Sequence, residues 1–343
     1  MRRQETLVKA YLGRLRQEAQ ELHDRFPTKL ETIYFGGGTP SHLSDHELEH
    51  VISTLQATWG FPASKETTLE ADPLTFDNTR LRFFKMLGFD RLSIGLQSTQ
   101  DDVLAFLGRA HTAKEGLSAI DMALSEGFSV SADLITAVSG QDTAKDLHTL
   151  AQTGVGHISV YSLSIEPYTP FALRKVQVDE EKDLKDFLLT KEVLKGYGFE
   201  RYEVSSYAKE GQQAVHNQRY WHGEYYLNLG PSAAGFLPRE NTMGIRVKNP
   251  AIKNWLAQEA PESTELDKTA FVEDLFMTAL RTKRGLDLDW LSNRTNMRIW
   301  ERHKAKLAPL IGLGLLEKRN DTLYATEKGV LQLNGVLNQL TQL

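Results

Sequence analysis

Residues 31–44 read ETIYFGGGTPSHLS. A short β-rich run, Ile33-Tyr34-Phe35, meets three successive glycines and then Thr39-Pro40, and a helical pattern follows. Glycine admits positive φ and lets a ligand approach backbone N–H and C=O groups directly. The spacing is neither GxGxxG nor GxxxxGKS/T, so the dinucleotide and P-loop readings fail. One glycine serves a tight strand-to-helix connection; three in a row point to a ligand.

From this stretch the chain alternates strand and helix. Strand patterns lie at 31–35, 67–71, 91–96, 129–135, 157–163 and 201–205, with helical patterns near 44–58, 77–87, 99–107, 113–126, 142–153 and 179–197. Ser44 with Glu47 and Thr112 with Glu115 have capping-box spacing. This alternation predicts an α/β fold with a parallel sheet. The helical pattern at 4–25 has no strand before it, so the expectation is a partial parallel (β/α)6-type barrel that starts one strand late. After Ser205 the pattern loosens into Gly, Asn, Trp and Tyr-rich sequence; from the 260s it is helical again, with the hairpin pattern LLEKRNDTLYAT at 315–326. The expected organisation is a barrel over 1–205, a covering segment over 206–262, and a small winged-helix-like domain over 263–343.

Composition excludes several classes. The 343 residues carry a net charge of −5, with no basic bias that would favour nucleic acid. No apolar run reaches the ~20 residues that span a bilayer. The amphipathic, acid-containing N-terminus is neither a secretory signal nor a transit peptide, which predicts a cytoplasmic protein. The chain has no cysteine, so disulfides, thiolate zinc sites and Cys-ligated iron–sulfur clusters are excluded for these residues.

Parallel α/β sheets gather site residues at the C-terminal ends of their strands. There the sequence places Glu70, Gln97 and Asp133, with Arg109 after a short helix. A glycine turn, two carboxylates, an amide and a cation suit a zwitterionic ligand with ribose hydroxyls. Singly, each has a plainer reading as a cap or a surface ion pair.

The runs YFGGGTPS (34–41), LEADP (69–73), RLSIGLQS (91–98), LGRAH (107–111), ADLI (132–135), VYSLSIEPYTPF (160–171), YEVSSYA (202–208), HNQRYW (216–221) and LGPSA (229–233) together resemble the radical S-adenosylmethionine family, in its heme chaperone (HemW) and oxygen-independent coproporphyrinogen III oxidase-like branch. The resemblance implies that Gly37, Gly38 and Thr39 contact S-adenosylmethionine, with Glu70, Gln97, Arg109 and Asp133 around its methionyl and ribose parts. It implies that HNQRYW, through His216, Tyr220 and Trp221, handles heme; His222 lies close enough to substitute as ligand. It also implies a [4Fe–4S] cluster held by a CxxxCxxC loop, which this sequence lacks, so no radical catalysis is expected of these residues. The expected function is heme binding and transfer to an acceptor protein. The alternatives are a coproporphyrinogen oxidase-like enzyme, should a cluster segment precede these residues in the native protein, and a degenerate non-catalytic scaffold. A sheet that starts one strand late predicts dimerisation or aggregation through strand 31–35. Finally, where the family continues Asp-Leu-Ile with Tyr-Gly-Leu-Pro-Gly-Gln, residues 136–141 read TAVSGQ, which puts the turn geometry behind Asp133 in question.

Overall fold

The computed structural model describes residues 5–63 and 65–341. Along the chain run α1 (Glu5–Arg25), β1 (Thr32–Phe35), α2 (Asp45–Trp59), β2 (Glu66–Ala71), α3 (Asn78–Met86), β3 (Arg91–Gln97), α4 (Asp101–Phe106), α5 (Ala113–Ser125), β4 (Ser129–Thr136), α6 (Thr143–Ala151), β5 (His157–Ser162), α7 (Pro170–Leu173), α8 (Glu180–Gly196), β6 (Glu200–Arg201) and β7 (Ser206–Ala208). There follow α9 (Val215–Trp221), β8 (Ala234–Leu237), β9 (Gly244–Lys248), α10 (Ile252–Leu256), β10 (Glu262–Leu266), α11 (Lys268–Ala279), β11 (Leu286–Asp287), α12 (Leu288–Thr295), α13 (Ile299–Gly312), β12 (Leu316–Arg319), β13 (Thr322–Ala325), α14 (Glu327–Leu331) and α15 (Leu333–Thr341). The chain divides into two compact units: Leu30–Ile52 with Gly60–Ala214, and the chain up to Lys29 with Ser53–Trp59 and everything from Val215 onward.

The first unit holds a seven-stranded sheet in the order β1-β2-β3-β4-β5-β7-β6. β1 to β5 run parallel, and β7 and β6 close one end antiparallel. The parallel α/β sheet of partial-barrel type is therefore present. Strands buried on both faces usually read as continuous apolar runs; here they alternate. Leu69, Leu92, Ile94, Leu96, Val130, Ala132, Leu134 and Ile158 are buried. They lie on the helix-covered face, where a side chain on Gly116 of α5 would collide with Leu96 Cδ1 at 2.4 Å. Beside them Phe35, Phe61, Phe84 and Phe89 form an edge-to-face cluster, with Phe35 and Phe89 at 4.9 Å. The alternate positions carry Tyr34, Glu70, Ser93, Asp133, Ser159 and Tyr161, so the other face is polar. Both predicted capping boxes form, through Ser44 with Glu47 and Thr112 with Glu115.

The second unit differs from expectation in two places. α1, expected in the barrel, packs on the 228–258 segment of this unit. Its buried Glu18 accepts from Gly230 N at 2.8 Å, Asn249 Nδ2 at 2.7 Å and Trp255 Nε1 at 3.2 Å. The helical period showed the buried stripe but not that a carboxylate on it would find three donors more than two hundred residues away. The 206–262 segment, read as a covering segment of loops and short elements, contains most of a three-stranded antiparallel sheet, β10-β9-β8. Its strands of five residues or fewer are too short for a pattern of period two to stand out. β7 also extends the sheet of the first unit past the expected boundary at 205. The C-terminal elements match the winged-helix reading: α11, α12 and α13 accompany a small sheet in the order β11-β13-β12, with Asn320 at φ 52 in the wing turn.

Candidate functional site

In the first unit the polar constellation is organised by Glu70. Its carboxylate accepts from Tyr34 Oη at 2.8 Å and from Gly37 N at 2.9 Å. The three glycines then separate into two roles. A Cβ on Gly36 would meet Tyr34 Cε1 at 2.6 Å and Glu70 Oε1 at 2.9 Å, so Gly36 makes room for the protein's own side chains rather than for a ligand. Gly37 and Gly38 have φ of 77 and 74 and face open space, and Thr39 follows at φ 60. The Gly37 N–H is taken by Glu70, and the exposed, side-chain-free backbone of Gly37 and Gly38 leaves room for a polar ligand to approach.

Asp133, on the same face, accepts from Ser93 Oγ at 3.2 Å and is paired in register with Ser159. Burial pushes its carboxyl up to about 6, against the pull of Ser159 and Ser93; the nearby Glu70 pushes the same way. Desolvation likewise raises Tyr34 and Tyr161, so both phenols stay protonated, and Tyr34 donates to Glu70. The start of β5 is closed by His157, bonded to Ser131 Oγ at 2.5 Å and Tyr202 Oη at 2.7 Å; burial holds it neutral.

Gln97 ends β3 beyond a register shift, in a left-handed conformation with φ 69. Its amide folds over Gly95, 3.0 Å from where a Cβ would stand. The residues that follow are fastened by Asp146, fully buried, which accepts from Ser98 Oγ at 2.9 Å, Thr99 N at 2.7 Å and Gln141 Nε2 at 2.8 Å. Gln141 reaches Ile135 O at 2.8 Å, so one carboxylate ties the ends of β3 and β4 together. Backbone strain in a residue this firmly held is characteristic of binding sites. Arg109 is exposed, and its guanidinium makes no contact with this constellation among the described residues. The structure thus brings Gly37, Glu70 and Asp133 into one polar group and sets Gln97 on the next strand end, but leaves Arg109 apart. Sequence reasoning missed Tyr34, Ser93, Ser159 and Tyr161, although the alternation of polar residues along β1 to β5 marks them.

The turn after Asp133 is pinned by a side chain distant in sequence. Ala137 stands at φ 61, and its N–H donates to Asp186 Oδ2 at 3.0 Å. Lys182 neutralises Asp186 from 3.0 Å.

In the second unit, HNQRYW forms α9. His216 hydrogen-bonds through Nε2 to Tyr220 Oη and meets that ring edge-on at 4.9 Å; Tyr220 in turn lies 4.4 Å from Tyr226. Burial, aided by Arg219, depresses His216 to about 4, so the imidazole is neutral at physiological pH. His222 has Nδ1 bonded to the Gln218 carbonyl at 2.8 Å, with a buried, unpartnered Nε2. Tyr220 and Trp221 line a cleft with Gly223, Tyr226, Phe236, Arg246, Phe271 and Asp274. Gly223 is required there, because a Cβ would stand 2.7 Å from Leu275 Cδ2.

The donor sets permit a test of fit. The open glycine run and the carboxylates suit the organic part of a zwitterionic nucleoside. They do not suit an iron–sulfur cluster: the chain has no cysteine, and no group of three or more His, Asp or Glu among the described residues is placed to hold a metal.

Comparison with known proteins agrees. Residues 5–154 match the radical SAM superfamily and residues 266–331 the HemN C-terminal domain. Heme chaperone HemW of Synechocystis sp. is 34% identical, over 95% of this chain and 81% of that protein. Heme chaperone HemW of Haemophilus influenzae is 32% identical, over 95% and 88%. Radical S-adenosyl methionine domain-containing protein 1, mitochondrial, of Bos taurus is 30% identical, over 91% and 76%. Among solved structures, coproporphyrinogen III oxidase (HemN) from Escherichia coli superposes with a TM-score of 0.83 over 99% of this chain and 85% of that one, a likeness of fold at 21% identity. With its strand-end polar site, its HNQRYW helix and its C-terminal module, the chain belongs to the radical SAM superfamily, among the HemW- and HemN-like proteins.

Proposed function

We propose that this protein is a heme chaperone that takes heme on α9 through His216 and carries a S-adenosylmethionine site at the strand ends of its sheet. The observation that carries the reading is His216 itself, a neutral imidazole flanked by aromatic rings, in a chain 34% and 32% identical to proteins named heme chaperones. Neutral imidazole is the form that ligates iron. Tyr220 and Trp221 supply apolar faces for the macrocycle. In the other unit Gly37, Gly38 and Thr39 receive the nucleoside's polar groups, Glu70 holds that loop in shape, Asp133 and Gln97 bind further along the strand ends, and Arg109 closes from solvent. S-adenosylmethionine supplies radical chemistry only beside a reduced iron–sulfur cluster, and these residues contain no thiolate to hold one; the reading is therefore binding and transfer rather than porphyrinogen oxidation. The chain operates in the cytoplasm, passes heme to an acceptor protein, and self-associates through β1, the terminal strand of its sheet.

Titration of ferric heme into the purified chain, followed at the Soret band, tests this. The expected result is a saturable shift at one heme per chain that is lost in His216→Ala. No shift at stoichiometric heme, or an unchanged shift in His216→Ala, overturns the heme assignment.

A further inference from the structure

Tyr226, Phe236 and Arg246 occupy consecutive cross-strand positions on the small sheet of the second unit. Across from them, α11 presents Phe271, Asp274, Leu275 and Thr278, a spacing of three, four and seven residues that puts all four on one helical face. Between these surfaces lies the cleft of about 450 Å³, counting its open side, that α9 borders with Tyr220 and Trp221. Its lining is mostly aromatic, with the Arg246–Asp274 pair and a second carboxylate, Glu224, that is neutralised by Arg219. Arg246 donates from Nε to Asp274 Oδ2 at 2.7 Å and brings Nη2 to the same oxygen, also at 2.7 Å. The guanidinium lies over Phe236 at 5.8 Å, yet the side chain remains 44% exposed. A guanidinium held flat by one carboxylate and one ring is pre-organised, and its outer N–H groups point away from the oxygen that holds it. A closed run of rings connects it to the ligand helix: His216 to Tyr220, Tyr220 to Tyr226, and Tyr226 to Arg246 by a side-chain hydrogen bond.

We propose that this cleft seats one edge of a planar aromatic macrocycle and that Arg246 binds a carboxylate on its periphery. The inference rests on the heme reading and adds to it the group that recognises the macrocycle's acid side chains. A wholly apolar ligand would strip water from the Arg246–Asp274 pair and return nothing for it, whereas a carboxylate satisfies the outer donors. Asp274 then has two opposed effects: it orients Arg246, and it competes for the guanidinium.

The test uses the full chain and two iron-free probes, protoporphyrin IX and its dimethyl ester, with binding followed by fluorescence; iron-free probes separate this cleft from ligation by His216. The wild-type chain is expected to bind the acid about tenfold more tightly than the ester, a ratio near the worth of one charge-assisted hydrogen bond. Arg246→Gln is expected to abolish that preference. Asp274→Asn, which leaves Arg246 without its competitor, is expected to enlarge it; a merely structural pair would weaken binding in both variants alike. Equal binding of acid and ester by the wild-type chain overturns the inference, and needs no variant to fold. So does a preference that survives Arg246→Gln. Heme binding without the acid preference removes this inference alone, whereas failure of heme and both porphyrins to bind removes the heme reading with it.

Discussion

At the scale of single residues, the structure separates positions that serve the ligand from positions that serve the chain. Gly36 is glycine because Tyr34 and Glu70 occupy the space of its side chain, while Gly37 and Gly38 open to solvent. Ala137 is the converse case. It stands where the family resemblance leads one to expect glycine, and takes the left-handed conformation at φ 61. An L-residue pays ~1–2 kcal/mol there; glycine avoids that cost but loses more backbone entropy. Ala137→Gly should therefore stabilise the chain by about 0.5–1 kcal/mol, read as a higher urea midpoint at unchanged slope. A lower midpoint would mean that the backbone entropy glycine loses on folding outweighs the strain that Ala137 carries. Tyr220 offers a second test. Its hydroxyl occupies His216 Nε2, the atom proposed to ligate iron. Tyr220→Phe frees that nitrogen, so stopped-flow mixing should show heme binding several-fold faster than in the wild-type chain, provided His216 is the ligand.

At the scale of elements, the polar face of the sheet carries a pH signature. Asp133 sits at about 6 in the folded chain against an ordinary 3.8. Between those values the native state binds more protons than the unfolded one, so stability falls as pH rises through about 4 to 6 and is level above. Asp133→Asn should flatten that slope and leave the variant about 1 kcal/mol more stable at pH 7, measured by denaturant titration across the range. An unchanged slope would place the buried charge elsewhere. α1 makes the opposite prediction. Glu18→Ala orphans three donors at Gly230, Asn249 and Trp255 and should cost ~2–4 kcal/mol. The parallel strands, the capped helices and the wing were all legible in the sequence, because each rests on local period or local caps. The seat of α1 and the network of Asp146 with Ser98, Thr99 and Gln141 were not, because they depend on partners distant in sequence.

At the scale of the molecule, two candidate sites lie in two compact units. The strand-end site was readable from glycines and carboxylates at expected positions; the alternation along the strands also carried its phenols and serines, but only the strand registers show which of them stand side by side. In the other unit HNQRYW marked the motif but not the helix it forms, and the cleft beside it stayed hidden, since one wall comes from strands of four and five residues that show no period in the sequence and meets α11 only in the fold. The heme seat proposed here lies wholly in that second unit. Hydrogen exchange read by mass spectrometry, with and without stoichiometric heme, tests this most directly. The account predicts slowed exchange over residues 215–226 and 234–248; slowing confined to the ends of the parallel strands, with 215–226 unchanged, would contradict it.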